Sequence, residues 1–207
     1  MMQTLLLASA SPARKATLIA AHIPPLVAVA DVDEDALLAA AKARGPVSAA
    51  EQVQLLAVAK AKKVAAELDA GTQPTVIVGC DSMLEMDGQV VGKPHTPEVA
   101  RERLRAMRGN AGDLHTGHCV IDVASGRMAV ATSTATVHIA HLTDAEIEAY
   151  IGTGEPLVVA GSFTIDGYGG PFVERIEGDH HGVVGISLPL LRDLLAELGH
   201  AITDFWQ

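Results

Sequence analysis

The chain has 207 residues, a formal charge of −10 and only 3% aromatic side chains. An acidic surface repels a phosphate backbone, and so few rings cannot build a stacking platform for single strands, so nucleic acid is not expected as a partner. Two cysteines, Cys80 and Cys119, show no Cys-x-x-Cys spacing, and no uncharged run reaches the ~20 apolar residues of a membrane span. The start MMQTLLLASA has an apolar stretch but no positive segment before it, which argues against a signal peptide. One cytoplasmic domain over residues 1–207, without a membrane partner, is the expectation.

Gln3 to Ala8 reads as a buried strand, and Ser11-Pro12 opens a helix to about Ala21, with Ser as N-cap and Pro as first helical residue. A short strand over Leu26 to Ala30 leads into the acidic run Asp31-Val32-Asp33-Glu34-Asp35, expected as a loop. Ser48 and Glu51 form a capping box for a helix to about Leu68. Thr75 to Cys80 reads as a strand, followed by a hairpin at Asp87-Gly88 that returns to Gly92-Lys93-Pro94. Thr96-Pro97 caps a helix that Gly109 ends. Gly117 to Val123 and Arg127 to Ala140 read as strands joined at Ser125-Gly126, and Thr143 with Glu146 forms a second capping box. A segment with six glycines from Gly152 to Gly170 precedes a strand over Pro171 to Ile176 and a last helix over Leu188 to Leu198. Hairpins mixed with helices predict an α/β fold with an α+β tendency and a mixed sheet.

Several constellations carry possible chemistry. Ser9, Ser11, Arg14 and Lys15 gather a strand end, a capped helix N-terminus and two cations, an arrangement that suits an anion; taken alone, a routine capped helix with surface cations is the more ordinary account. Gly88 to Pro94 falls short of a P-loop, with three residues between the glycines and proline where Ser or Thr would hold magnesium. Lys60 falls inside the apolar stripe Val53, Leu56, Ala57, Ala61, Val64, Leu68, as either a snorkelling lysine or a half-buried cation facing an acid or a phosphate. Asp81 stands where an apolar strand gives out, a usual place for ligands in open α/β sheets, and Asp33 or Glu34 could add oxygen donors for a hard ion. His115, His118, His180 and His181 lack metal-ligand company at a known spacing and are expected as surface or packing residues. No Gly-x-Ser-x-Gly elbow offers a covalent nucleophile.

Taken together these segments resemble the Maf family. LLLASASPARK is similar to its LASxSPRR opening, LLAVAKAKKVA to its LAxxKAxxV helix and VIVGCDSMLEMDGQVVGKP to its VIGADTVVxLDGxxxGKP segment. YIGTGEPLVVAGSFTIDGYGGPFVERIEGDHHGVVGISLPLL resembles the family's closing pattern from TGEP to VVGLPL. The resemblance implies a Maf/ITPase-like mixed sheet flanked by helices, with two lobes around a central cleft. It implies a nucleoside triphosphate pyrophosphatase that uses a divalent cation (Mg²⁺ or Mn²⁺, with Co²⁺ possible) and forms a homodimer. Such an enzyme would clear non-canonical nucleotides, with a link to cell-division arrest; a nucleotide-binding regulator of septum formation that does not hydrolyse is the alternative. Residue by residue it implies catalytic roles for Asp81, Glu34 and Lys60, substrate binding by Ser9, Arg14, Lys93 and Asp166, and a metal held by Asp81 and Glu34. Three positions depart from the pattern: Ala13 replaces an arginine, Ser82 a threonine and Asp166 a glutamine. These departures leave the preferred base open.

Overall fold

The computed structural model describes residues 3–29, 31–68, 71 and 73–207. Its strands are β1 (Leu5–Ala8), β2 (Leu26–Ala28), β3 (Val76–Met86), β4 (Gln89–Val91), β5 (Ala111–Asp122), β6 (Met128–Ile139) and β7 (Val173–Glu177). They form one sheet in the order β2-β1-β3-β5-β6-β7, with β4 paired to β3. β1 runs parallel to β2 and β3, and every other pairing is antiparallel, so the sheet is mixed as expected. The helices are α1 (Pro12–Ala20), α2 (Glu34–Lys42), α3 (Ala49–Ala66), α4 (Pro97–Met107), α5 (Asp144–Gly152), α6 (Glu155–Val158), α7 (His180–Val184) and α8 (Leu188–Glu197).

Local chemistry accounts for most boundaries. Ser11, Thr96 and Ser187 each cap a helix whose first turn carries proline, and Ser48–Glu51 and Thr143–Glu146 make reciprocal capping boxes. The two-residue turn between β3 and β4 has Asp87 at φ 50° and Gly88 at φ 73°, the left-handed pair that a tight hairpin needs.

Five expectations change. The acidic run is not all loop, because the Asp33 side chain accepts the N–H of Ala36 and starts α2. Asp81 does not end a strand; β3 continues through it to Met86, since β5 stays paired with it from Val76 to Glu85. β5 begins at Ala111, well before Gly117, and α7 fills a stretch to which no element was assigned. The expected strand over Leu26 to Ala30 is described only to Ala28, Ala30 lying outside the described residues.

The long strands β3, β5 and β6 carry the apolar interior. On one face α3 packs Ala57, Ala61 and Val64 against Ile77, Cys119 and Ile121. It lies so close that a Cβ on Gly79 would stand 2.2 Å from the Ala57 carbonyl oxygen, and one on Gly117 2.3 Å from that of Val53. The other face carries two separate clusters. Near the β1 end, Val78, Cys80 and Val120 meet Leu18 of α1 and Leu191, Leu194 and Leu195 of α8. Toward the hairpin, Leu84, Leu114 and Val137 meet Leu104 of α4 and Ile147 and Tyr150 of α5. Two cores thus divide one set of strands into two lobes, and Ser82 and Thr116 form a polar row between them.

Candidate active site

β1 accompanies β3 only as far as Val78, and β4 joins the same edge at Leu84. Residues 79–83 therefore have no strand on that side, although β5 still pairs with them on the other. Most of the expected site residues converge on this gap.

Asp81 lies in the middle of it, paired with Gly117 and so directed to the face that α3 covers. From α3, the Lys60 ammonium reaches Asp81 Oδ1 at 2.6 Å and Glu34 Oε1, at the first residue of α2, at 2.8 Å. Asp81, Lys60 and Glu34 are thus one cluster, and the lysine inside the apolar stripe is the half-buried cation. Burial raises the Asp81 pKa, and the neighbouring Lys60 only partly opposes it. Lys60 uses one oxygen of each acid, leaving Asp81 Oδ2 and Glu34 Oε2 without another hydrogen-bond partner among the described residues. Two carboxylate oxygens fit a hard divalent ion that keeps part of its water and takes the rest of its ligands from a phosphorylated substrate.

Arg14 occupies the opposite side of the gap. It is 9% exposed, and its guanidinium donates to four acceptors: Gly185 O at 2.7 Å, Ser9 Oγ at 2.9 Å, Cys80 O at 3.0 Å and Ser82 Oγ at 3.1 Å. Cys80 lies beyond the last β1–β3 pair, so the arginine bonds a carbonyl that β1 no longer reaches. Four of the five guanidinium N–H groups are thereby used, and one on Nη2 remains. Ser9, just past β1, supports Arg14 rather than standing alone.

Sequence reasoning did not find the row behind Arg14. Thr116 is fully buried and donates to Gly182 O at 2.8 Å, so its contact of 2.8 Å with Ser82 Oγ requires Ser82 to be the donor. Proton directions therefore run from Arg14 to Ser82 to Thr116 to the α7 backbone. Nearby, buried His118 accepts from the N–H of Ser187 at 2.9 Å and faces Thr116 O through Nδ1, which holds the start of α8 against β5. Burial lowers the His118 pKa to about 4 and leaves the ring neutral. His115, also buried, bonds Thr134 and Glu85. The alternation of strand side chains is the signal for this row, since Ser82 faces away from Asp81 and Thr116 pairs with Ser82.

Two expected residues stand apart. Lys93 is exposed and makes no hydrogen bond or ion pair among the described residues. The β3–β4 register, with Leu84 opposite Val91, would bring it level with Ser82 if continued two residues, at the far rim of the gap. Asp166 is exposed and takes a hydrogen bond from Thr164. Its loop is held by Glu155, whose carboxylate accepts the N–H groups of Tyr168 and Gly169, both at 2.9 Å. No hydrogen bond joins Asp166 to Asp81, Lys60 or Arg14 among the described residues. The thiols offer no nucleophile, because burial pushes Cys80 up to about 12 and Cys119 to about 11.

Residues 4–198 match the family model described as Maf-like protein, and the chain belongs to that family. It is 55% identical over 203 residues to a nucleoside triphosphate pyrophosphatase of Salinispora tropica, covering 98% of this chain and 87% of the relative. A protein of the same name from Nocardia farcinica is 51% identical over 210 residues, covering 100% and 98%. Another, from Streptomyces coelicolor, is 50% identical over 202 residues, covering 98% and 94%.

Proposed function

We propose that this chain is a nucleoside triphosphate pyrophosphatase in which water attacks the α-phosphorus, releasing a nucleoside monophosphate and pyrophosphate. Its family membership and the name shared by its relatives support the activity. The observation that carries the site is the contact of Lys60 with both Asp81 and Glu34 at the gap in β3. One carboxylate there is buried with a raised pKa, and free oxygens lie beside a fixed cation.

Phosphoryl transfer needs positioning and charge neutralisation more than covalent help from the protein. Asp81 accepts the proton of the attacking water, and its raised pKa makes it a stronger base than an ordinary aspartate. Lys60 holds Asp81 and Glu34 in place, while the remaining Arg14 N–H and the Lys93 ammonium bind phosphate oxygens. A divalent cation, Mg²⁺ or Mn²⁺, would be held by Asp81 and Glu34 and would supply Lewis-acid neutralisation of the triphosphate. Asp166 contributes to recognition of the base. The reading includes one domain over 1–207, a cytoplasmic homodimer and no nucleic-acid or membrane partner. No helix among the described residues is long and apolar enough to cross a membrane.

Hydrolysis of dTTP, UTP, CTP or GTP in heavy-oxygen water tests the proposal. The label should appear in the monophosphate, with pyrophosphate as the other product. Orthophosphate with a nucleoside diphosphate, or label in the pyrophosphate, would overturn it.

A further inference from the structure

Three ligating side chains meet at the start of α7, although sequence spacing left the histidines without company. Asp179, His180 and His181 each offer an atom within 4.8 Å of the other two. We propose that they form a second cation site, selective for a borderline transition metal such as Zn²⁺, Co²⁺ or Ni²⁺ and separate from the carboxylates at the gap.

The geometry suits such an ion. Asp179 Oδ1 and His181 Nδ1 are 3.3 Å apart, long for a hydrogen bond to an imidazole. Two ligands on a tetrahedral zinc, each bonded at ~2.0–2.1 Å, are separated by about that distance. The imidazole rings of His180 and His181 lie with centroids 3.8 Å apart, and each ring brings a nitrogen within 4.8 Å of an Asp179 oxygen. Asp179 is already oriented, because its two oxygens accept the N–H groups of His181 at 3.2 Å and Gly182 at 3.0 Å. Its negative charge also offsets the positive end of the short helix. Two imidazoles and one carboxylate form a donor set that favours Zn²⁺, Co²⁺ or Ni²⁺ over Mg²⁺, whereas Asp81 and Glu34 offer only oxygen. His180 is exposed, which leaves the remaining coordination positions to water.

The two sites use different faces of the sheet. Asp81 faces α3, whereas α7 packs over the row of Thr116 and Ser133, where a Cβ on Gly182 would meet Ser133 Oγ at 2.8 Å. α7 also supplies Gly182 O to Thr116, and the residue that ends it supplies Gly185 O to Arg14. An ion at the start of α7 would therefore fix the segment against which Arg14 is held.

Binding of Zn²⁺ and Co²⁺ to the EDTA-stripped full chain near neutral pH tests this, read by calorimetry, by the visible absorption of Co²⁺ and by the metal-dependent shift in melting temperature. A single equivalent should bind in the presence of millimolar Mg²⁺. His180→Ala and His181→Ala should each weaken binding at least ~10-fold while melting like the metal-free parent, and Asp81→Asn should leave it unchanged. Absence of Zn²⁺ binding to the parent, equal affinity in the His180→Ala/His181→Ala double variant, or loss of binding in Asp81→Asn would each overturn the proposal. None of these readouts depends on hydrolysis, so a failure here is distinguishable from a failure of the pyrophosphatase reading.

Discussion

Lys60 Nζ stands 2.6 Å from Asp81 Oδ1, with only 15% and 12% of the two side chains exposed. The contact places a fixed positive charge against the carboxylate proposed as base, while desolvation still raises the Asp81 pKa. Replacing Asp81 with asparagine keeps the shape and removes both the base and a negative ligand. Turnover should fall by at least ~10²–10⁴-fold, with melting within a few degrees of the parent, because Lys60 keeps Glu34 as a partner. Wild-type turnover in a folded Asp81→Asn protein would remove Asp81 from the mechanism.

The raised Asp81 pKa also gives a pH profile. The base must be ionised to accept a proton, so kcat/KM at constant metal should climb with pH as Asp81 ionises, whereas in the metal-free protein burial raises its pKa. The sign for stability is opposite. A carboxyl whose folded pKa is raised favours the fold while protonated, and that contribution is lost as pH rises through the folded value. Asp81→Asn should therefore gain stability relative to the parent between acidic and neutral pH, as measured by urea unfolding at several pH values.

His118 works in the other direction. Its folded pKa is about 4, against 6.5 for the free ring, so the unfolded chain binds a proton between those values and the folded one does not. Stability should fall as pH drops from 6.5 toward 4, by on the order of 3 kcal/mol from this residue. A His118→Gln variant should be less stable than the parent near pH 7.5 and should lose part of the acid-side decline. Parallel urea curves at every pH would contradict the assignment.

Arg14 cannot be replaced by lysine without loss. One ammonium cannot reach Gly185 O, Cys80 O, Ser9 Oγ and Ser82 Oγ together, since these acceptors surround a planar fork. Each buried carbonyl left unpaired costs about 1–3 kcal/mol. Arg14→Lys should therefore lower the melting temperature as well as turnover. An unchanged melting curve with reduced activity would make Arg14 a phosphate ligand alone.

Asp166 tests recognition. Aspartate offers only acceptors where glutamine would offer a donor as well. Asp166→Gln should reorder kcat/KM among dTTP, UTP, CTP, GTP and 7-methyl-GTP while leaving metal dependence alone. A uniform fall across the panel would move Asp166 into catalysis.

Much of this was legible from local chemistry. Caps and boxes located α1, α3, α4, α5 and α8, and the hairpin followed from Asp87-Gly88. α2 was missed because its N-cap Asp33 and first residues Glu34 and Asp35 lie in an acidic run that reads as a solvated loop, and the helix buries no residue. α7 is too short to show a period. The position of Asp81 inside β3 was hidden because a strand's neighbours are long-range facts: β1 leaves and β4 arrives while β5 carries the strand through. Asp81, Lys60 and Glu34 could be suggested singly from spacing and resemblance, but their union depends on how deeply α3 sits on Gly79 and Gly117.

The unpaired edge of β3 also bears on solubility. A central strand with bare backbone groups is a template on which a stray strand from another chain can add. Here the Arg14 guanidinium blocks one carbonyl of that edge, and the half-buried Lys60 charge stands beside the Asp81 side chain. A foreign strand would have to strip both cations of their partners before it could pair. Arg14, proposed to bind phosphate, and Lys60, proposed to hold the two carboxylates, therefore also guard the opening against self-association. Variants that neutralise them risk aggregation through the very notch in which the substrate is expected to lie.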